Sequence, residues 1–284
     1  MKVLILGASG MLGFTLFNYL NTKKNITLFG TVRNKSSNKI LLNKIYKHID
    51  VKNFSLLEEK IKKISPNVVI NCVGIVKSEV EKNVKNVIKV NAKLPKFLNK
   101  ITEKHNFRLL HISTDCVFSG QKRNYSEKNY PDPIDLYGKS KLMGEFNSIK
   151  NIVIRTSIIG HETKHKRGLL EWFLKQKSPI SGFSKAYFSG LTTLELSKII
   201  YKKILFNTKL TGLYHISGKR INKYNLLKKI SKEYRKDIEI IKNNQFKIDR
   251  SLNSSKFIKK TDYKKKSWDK MIKENKINFF KYAK

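Results

Sequence analysis

The sequence predicts an α/β protein built on a doubly wound parallel sheet with a smaller C-terminal lobe. Three observations predict it. The chain opens on an apolar run, Lys2 to Leu6, which passes directly into Gly7-Ala8-Ser9-Gly10-Met11-Leu12-Gly13 and then into Leu12, Leu16 and Leu20 at helical spacing. Further apolar runs of strand length, bounded by glycine, proline or polar residues, alternate with helical patterns, as parallel strands joined by crossover helices do. At 284 residues and 40% hydrophobic content, the chain is long enough for one well-buried core or for a core domain with a smaller lobe. We expect residues 1–157 to form a dinucleotide-binding domain of Rossmann type. Residues 158–284 are expected to form mainly a substrate lobe, with segments around 185–217 returning to the core.

The first strand and its glycine turn carry the argument for a dinucleotide. Glycines lack Cβ, so the backbone can approach a pyrophosphate, and the amides at the following helix start favour its negative charge. Gly7, Ser9, Gly10, Met11, Leu12 and Gly13 are therefore the expected cofactor contacts, although the spacing is G-x-x-G-x-x-G and not G-x-G-x-x-G. A second strand, Ile26 to Val32, ends at Arg33, where an NAD-binding unit places an acid on the ribose hydroxyls. An arginine there suits a 2′-phosphate, and Lys35 and Lys39 add charge, so NADPH is expected over NADH. Ile45 to Val51 reads as a short strand whose end carries Asp50 and Val51; Asp50 serves either an adenine amino group or a local turn.

Val68 to Gly74 is a fully apolar strand, and Cys72, Val73 and Gly74 at its carboxyl end are expected against the cofactor. Val87, Val90, Leu94, Leu98 and Ile101 form a helical stripe that also contains Asn91, a polar side chain that must find buried partners. Arg108 to Ser113 is the next strand, and it delivers Thr114, Asp115 and Cys116 to the same sheet edge as Gly7 and Gly74.

Pro131 and Pro133 keep the following segment extended, Asp135 is placed to cap a helix, and Leu142 and Phe146 give that helix an apolar stripe. On it, Tyr137 and Lys141 are four residues apart and share one face. A fixed ammonium beside a phenol favours phenolate, which would let the tyrosine give and recover a proton near neutrality.

Charge and cysteine content bound the rest. The 60 Lys and Arg exceed the 21 Asp and Glu by 39, a balance that attracts anions in general, but the basic residues are spread evenly along the chain. Cys72 and Cys116 are the only cysteines and both fall in apolar surroundings, so a reducing compartment is expected. No apolar run reaches membrane-spanning length and Met1 to Gly7 lacks the features of a signal peptide, so we expect a cytoplasmic protein.

The glycine turn, Ser113-Thr114-Asp115 and Tyr137 to Lys141, in that order and at those separations, resemble the extended short-chain dehydrogenase/reductases. Ser113 to Gly120 and Leu136 to Glu145 look like the dTDP-4-dehydrorhamnose reductase branch, and the likeness continues through Arg155 to Ser157, Phe188 to Thr193, Gly212 to His215 and Ile248 to Ser251. The resemblance implies that Thr114 binds the substrate carbonyl, Tyr137 donates the proton, and Lys141 contacts the nicotinamide ribose and lowers the tyrosine pKa. It implies that Asn91 links the lysine to a proton relay. Cys116 departs from that branch, which usually has tyrosine there. Related 4,6-dehydratases have glutamate at this position, and a thiol in its place argues against dehydration. The implied reaction is reduction of the keto group of a nucleotide-linked 4-keto-6-deoxy sugar by NADPH, for cell-surface polysaccharide precursors. Asp115, Cys116, Phe188 and Arg250 are the expected substrate contacts, Arg250 on a diphosphate and Phe188 either stacking or packing.

Two features point elsewhere. His161-Glu162-Thr163-Lys164-His165 matches a zinc signature in letters but sits in a polar loop with no third ligand, so no metal is expected. Tyr263 to Trp268 interleaves aromatics with lysine, a composition that suits nucleic acid, yet no specific nucleic-acid partner is expected. An epimerase, or a non-catalytic NADP-binding subunit such as the regulatory subunit of methionine adenosyltransferase, which also looks like this branch, remain the rival readings. The protein is expected to be a monomer or homodimer, off the membrane.

Overall fold

The computed structural model describes residues 1–33, 45–46, 49–76, 83–163 and 166–282. Its strands are β1 (Lys2–Leu6), β2 (Thr27–Thr31), β3 (Ile45–Tyr46), β4 (Val68–Asn71), β5 (Arg108–Ile112), β6 (Ile152–Arg155), β7 (Ile158–Ile159), β8 (Ile180–Phe188), β9 (Leu191–Thr192), β10 (Gly212–His215), β11 (Ile221–Asn222) and β12 (Ile240–Asp249). The helices are α1 (Met11–Asn21), α2 (Phe54–Ile64), α3 (Val84–Val87), α4 (Leu94–Lys100), α5 (Leu136–Met143), α6 (Leu169–Lys175), α7 (Thr193–Ile199), α8 (Lys223–Tyr234), α9 (Ser255–Thr261) and α10 (Trp268–Tyr282).

Seven strands form one sheet in the order β10-β6-β5-β4-β1-β2-β3, and every pairing in it is parallel. The chain order reverses at β1, so the carboxyl ends of β1 and β4 flank the switch point where open α/β sheets bind ligands. Both faces of the sheet are covered, which explains why β1, β4 and β6 are apolar without alternation. One apolar cluster joins α1, α7, α8 and α10 to one face; a second packs α2 and α4, with Leu57, Ile61, Leu94 and Leu98, on the other.

A separate three-stranded sheet, β11-β8-β12, stands beside this core. Burial alternates strictly over most of β8, the mark of a sheet with one wet face. Gly120 ties the two sheets together. It has φ +88°, and a Cβ there would lie 2.4 Å from Ile248 Cγ1, so β12 runs directly against the loop after β5. The backbone bond from Asp249 N to the Gly120 carbonyl (2.8 Å) fixes that approach.

Three local expectations differ from what is found. Among the described residues the strand expected to reach Val51 is found at Ile45–Tyr46, and Asp50 lies in a turn, its carboxylate accepting from Lys52 N at 3.0 Å. The stripe from Val87 to Ile101 is not one regular α-helix: Ile88–Lys93 forms a π turn between α3 and α4, centred on Asn91. The helix carrying Tyr137 stops at Met143, before Phe146, because Gly144 caps it against the backbone of Asn91; a Cβ at Gly144 would sit 2.0 Å from the Asn91 carbonyl oxygen.

Candidate active site

The turn after β1 is shaped by backbone. Gly7 has φ +78°, and a Cβ on Gly13 would lie 2.1 Å from the Gly7 carbonyl oxygen, so the first turn of α1 closes on β1 at a distance only glycine permits. A Cβ on Gly10 would meet only that same oxygen at 3.4 Å, so space is open above the turn. No side chain caps α1, which leaves its first-turn amides to face that space. Such an open, uncapped glycine cradle fits a dinucleotide pyrophosphate. Ser9 and Met11 are partly exposed at its rim, whereas Leu12 is buried in the core and can contribute only backbone. Arg33 is exposed at the end of β2; Lys35 and Lys39 lie outside the described residues.

At the end of β4, Asn71 Oδ1 accepts from Val73 N (3.1 Å) and bends the chain through Cys72 and Val73 to Gly74. Gly74 faces both Asn91 and Lys141: a Cβ there would be 3.5 Å from Asn91 Oδ1 and 3.8 Å from Lys141 Nζ. The π turn points the fully buried Asn91 amide inward, where it accepts from Ile75 N (2.8 Å) and donates to the Ile75 carbonyl (3.0 Å) and to Ser140 Oγ (3.0 Å). Ser140 in turn donates to the Tyr137 carbonyl (2.8 Å), so Asn91 holds the helix that carries Tyr137 and Lys141.

Asp135 caps that helix through Gly138 N (2.8 Å), as expected from sequence. Gly138 is the contact point with the Thr114 loop, since a Cβ there would lie 2.2 Å from the Cys116 carbonyl oxygen. That contact sets the Thr114 loop against the start of the helix that carries Tyr137, and the Thr114 hydroxyl donates to Asp115 Oδ1 (3.3 Å). The Thr114 hydroxyl also accepts from Cys116 N (3.1 Å).

Lys141 is buried and donates to the Ile112 carbonyl at 2.6 Å. Burial pulls its pKa down from 10.5 to about 8, against the opposing pull of Glu145 and Cys72. The expectation that the lysine lowers the tyrosine pKa is not met. Burial raises the Tyr137 phenol well above its ordinary value, the neighbouring Cys116 and Asp115 push the same way, and Thr114 opposes them. The physical reason is geometric: the ammonium is turned to a backbone carbonyl.

The far end of the cleft is assembled from distant segments. Asp115 is buried, and burial raises its pKa against the charges of Arg250 and Lys223. Burial and Asp115 together push the Cys116 thiol up to about 12, so it is a neutral thiol at physiological pH and no base. Arg250, at the end of β12, donates from Nε to the Phe118 carbonyl (2.9 Å) and from Nη1 to Cys116 Sγ (3.5 Å). Phe188 takes the packing role of its two expected ones: it is buried, its ring 5.5 Å from Trp268 and 3.8 Å from Lys223 Nζ.

Sequence reasoning missed two groups. Glu145 accepts from Ser113 Oγ (2.6 Å) and pairs with buried Arg155 (2.7 Å), locking the end of α5 to β5 and β6 beside Thr114. Its place one turn beyond Lys141 was the available signal. Lys223 was missed because nothing in the sequence separates it from the chain's other lysines.

Of the two features set aside earlier, the described residues His161, Tyr263 and Trp268 are buried. His161 is buried, its ring nitrogens engaged by Glu171 (2.6 Å) and Tyr234 (2.8 Å), and His165 lies outside the described residues. Among the described residues no group of three or more His, Cys, Asp or Glu could hold a metal ion. Tyr263 and Trp268 are buried in the main core, so they offer no stacking surface to nucleic acid. No described helix is long and apolar enough to cross a membrane.

The sequence pattern of the RmlD substrate binding domain family matches residues 1–275. The chain belongs to this family. It is accordingly an oxidoreductase of the extended short-chain dehydrogenase/reductase type. The dTDP-4-dehydrorhamnose reductase of Aggregatibacter actinomycetemcomitans is 29% identical over 228 residues, 76% of this chain and 73% of that one. The crystal structure of dTDP-4-dehydrorhamnose reductase from Bacillus anthracis, in complex with NADP, superposes with a TM-score of 0.79 at 25% identity, over 97% of this chain and 98% of that one. The methionine adenosyltransferase 2 subunit beta of Bos taurus is 22% identical over 247 residues, 79% of this chain and 70% of that one. A nicotinamide dinucleotide is the cofactor class that the cradle and the family support.

Proposed function

We propose that the protein is an NADPH-dependent reductase of the keto group of a nucleotide-linked 4-keto-6-deoxy sugar, acting in the synthesis of cell-surface polysaccharide precursors. The observation that carries this reading is the convergence of Thr114, Tyr137 and Lys141, from β5 and α5, at the sheet edge that also holds the glycine cradle and Gly74. The β8–β12 sheet, which brings Arg250 to Cys116, is the proposed substrate lobe.

Gly7, Gly10, Gly13 and the first turn of α1 would hold the pyrophosphate, Arg33 a 2′-phosphate, and Gly74 with Asn91 and Lys141 the nicotinamide end. When bound, the nicotinamide supplies the hydride that reduces the ketone carbon. The protein's own part is positional and protic. Thr114 offers its hydroxyl to the ketone oxygen beside Tyr137. With its pKa raised, the phenol keeps its proton at neutral pH and gives it up to the alkoxide, a stronger base, as negative charge develops on that oxygen. Lys141, at about 8, is mostly protonated at pH 7 and keeps positive charge beside the site. Neutral Cys116 offers no carboxylate to remove a proton from the sugar, which supports reduction over dehydration.

The test is a panel of dTDP-, UDP- and GDP-linked 4-keto-6-deoxy sugars with NADPH or NADH, followed by nicotinamide absorbance. Stoichiometric NADPH consumption with one donor is expected. Tight NADPH binding without consumption would refute the reading. That result would favour an epimerase, or the second reading that the relative named methionine adenosyltransferase 2 subunit beta supports, a non-catalytic NADP-binding subunit.

A further inference from the structure

Lys223 opens α8, a position where the helix dipole disfavours a cation, so helix stability does not explain it. Its ammonium stands 3.8 Å over the Phe188 ring, and the titratable groups within its electrostatic reach are Asp115 and the Cys116 thiol. It makes no hydrogen bond or ion pair with any described residue. Arg250 reaches Cys116 from β12, and it too forms no ion pair with a described residue. A carboxylate that acts on both cations is the buried Asp115, whose pKa burial raises. Two cations from separate segments thus lie near Cys116 without an ion-pair partner among the described residues, in a partly desolvated region where an unpaired charge is costly.

We propose that Lys223 is a substrate contact that, with Arg250, brackets Cys116 and binds an anionic oxygen carried by the ligand. The proposal rests on the reading that this cleft takes a nucleotide sugar. In such a ligand the diphosphate presents that chemistry. Lys223→Met removes the charge and keeps an unbranched apolar stem against Phe188.

The experiment is calorimetric titration of the NADPH-saturated wild-type protein and the variant with dTDP, UDP and GDP, their glucose conjugates, and UDP-glucuronate. Loss of one charge-assisted bond should weaken binding roughly tenfold or more. Every ligand that the wild type binds should weaken together in Lys223→Met, with NADPH affinity and thermal midpoint unchanged in the variant. Weakening of UDP-glucuronate alone, whose carboxylate a 6-deoxy sugar lacks, would overturn the proposal. Equal affinities for all ligands in the two proteins would overturn it while leaving the nucleotide-sugar reading in place. A wild-type protein that binds none of the ligands would overturn both.

Discussion

The two ends of the cleft are built in different ways. The proposed cofactor end is backbone: Gly7 at φ +78°, Gly13 against the Gly7 carbonyl, and the uncapped start of α1, all within the first turn after β1. The proposed substrate end is side chains, Asp115 and Cys116 after β5, Phe188 from β8, Lys223 from α8 and Arg250 after β12. A backbone cradle is inseparable from the core on which it rests, because Leu12 and Leu16 of the same helix are core residues. A side-chain cleft can change its chemistry without touching the sheet. Mutations at the first end should therefore alter ligand binding and stability together, and mutations at the second should alter function alone.

The largest expected effect tests the second half of that contrast. Tyr137→Phe removes the proposed proton donor while preserving the ring, and kcat for reduction should fall by about 10³. NADPH affinity and thermal midpoint should stay near wild type, since the substitution keeps the ring and removes only the hydroxyl. Full activity in this variant would remove Tyr137 from the mechanism; a large drop in midpoint would remove the contrast.

The next effect tests the first half. At Gly13→Ala the new Cβ would start 2.1 Å from the Gly7 carbonyl oxygen, and backbone must move to admit it. Overpacking of this kind costs about 1–3 kcal/mol, a fall of a few degrees in thermal midpoint for a chain of this size. NADPH affinity should drop by roughly tenfold to a hundredfold in the same variant, because the displaced backbone is the phosphate cradle. An unchanged midpoint with lost NADPH binding would show that the cradle is independent of the core.

The same contrast explains what the sequence disclosed. The glycine turn was legible because its chemistry is local: strand, glycines and helix are contiguous, and only glycine satisfies the geometry. Thr114, Tyr137 and Lys141 were legible as types in order, and the Asp135 cap was readable from its spacing to Gly138. What sequence could not show was orientation. Lys141 turns to the Ile112 carbonyl, Phe188 lies between Trp268 and Lys223, and Asn91 gains its inward aim from a π turn that periodicity does not distinguish from an α-helix. Lys223 was hidden by composition, since a lysine carries little information in a chain with 60 basic residues.

Lys141 belongs to both ends and gives the smallest and most specific effect. Its ammonium is buried, and the folded protein lowers its pKa from 10.5 to about 8. Below pH 8 both folded and unfolded chains carry the proton, so the folded state bears the full cost of a buried charge. Between pH 8 and 10.5 the folded chain has released the proton and the unfolded chain still holds it, so stability must rise with pH through this window. A depression of this size corresponds to ~3 kcal/mol, less what the bond to Ile112 returns. Lys141→Met should lose reductase activity and yet be more stable than wild type at pH 7 by about 1–2 kcal/mol, with the gap closing by about pH 10. Urea denaturation of both proteins at pH 7 and pH 10 measures it. A stability difference that does not change between the two pH values would mean that Lys141 is not the depressed group, and that its charge is matched inside the fold as well as it is in water.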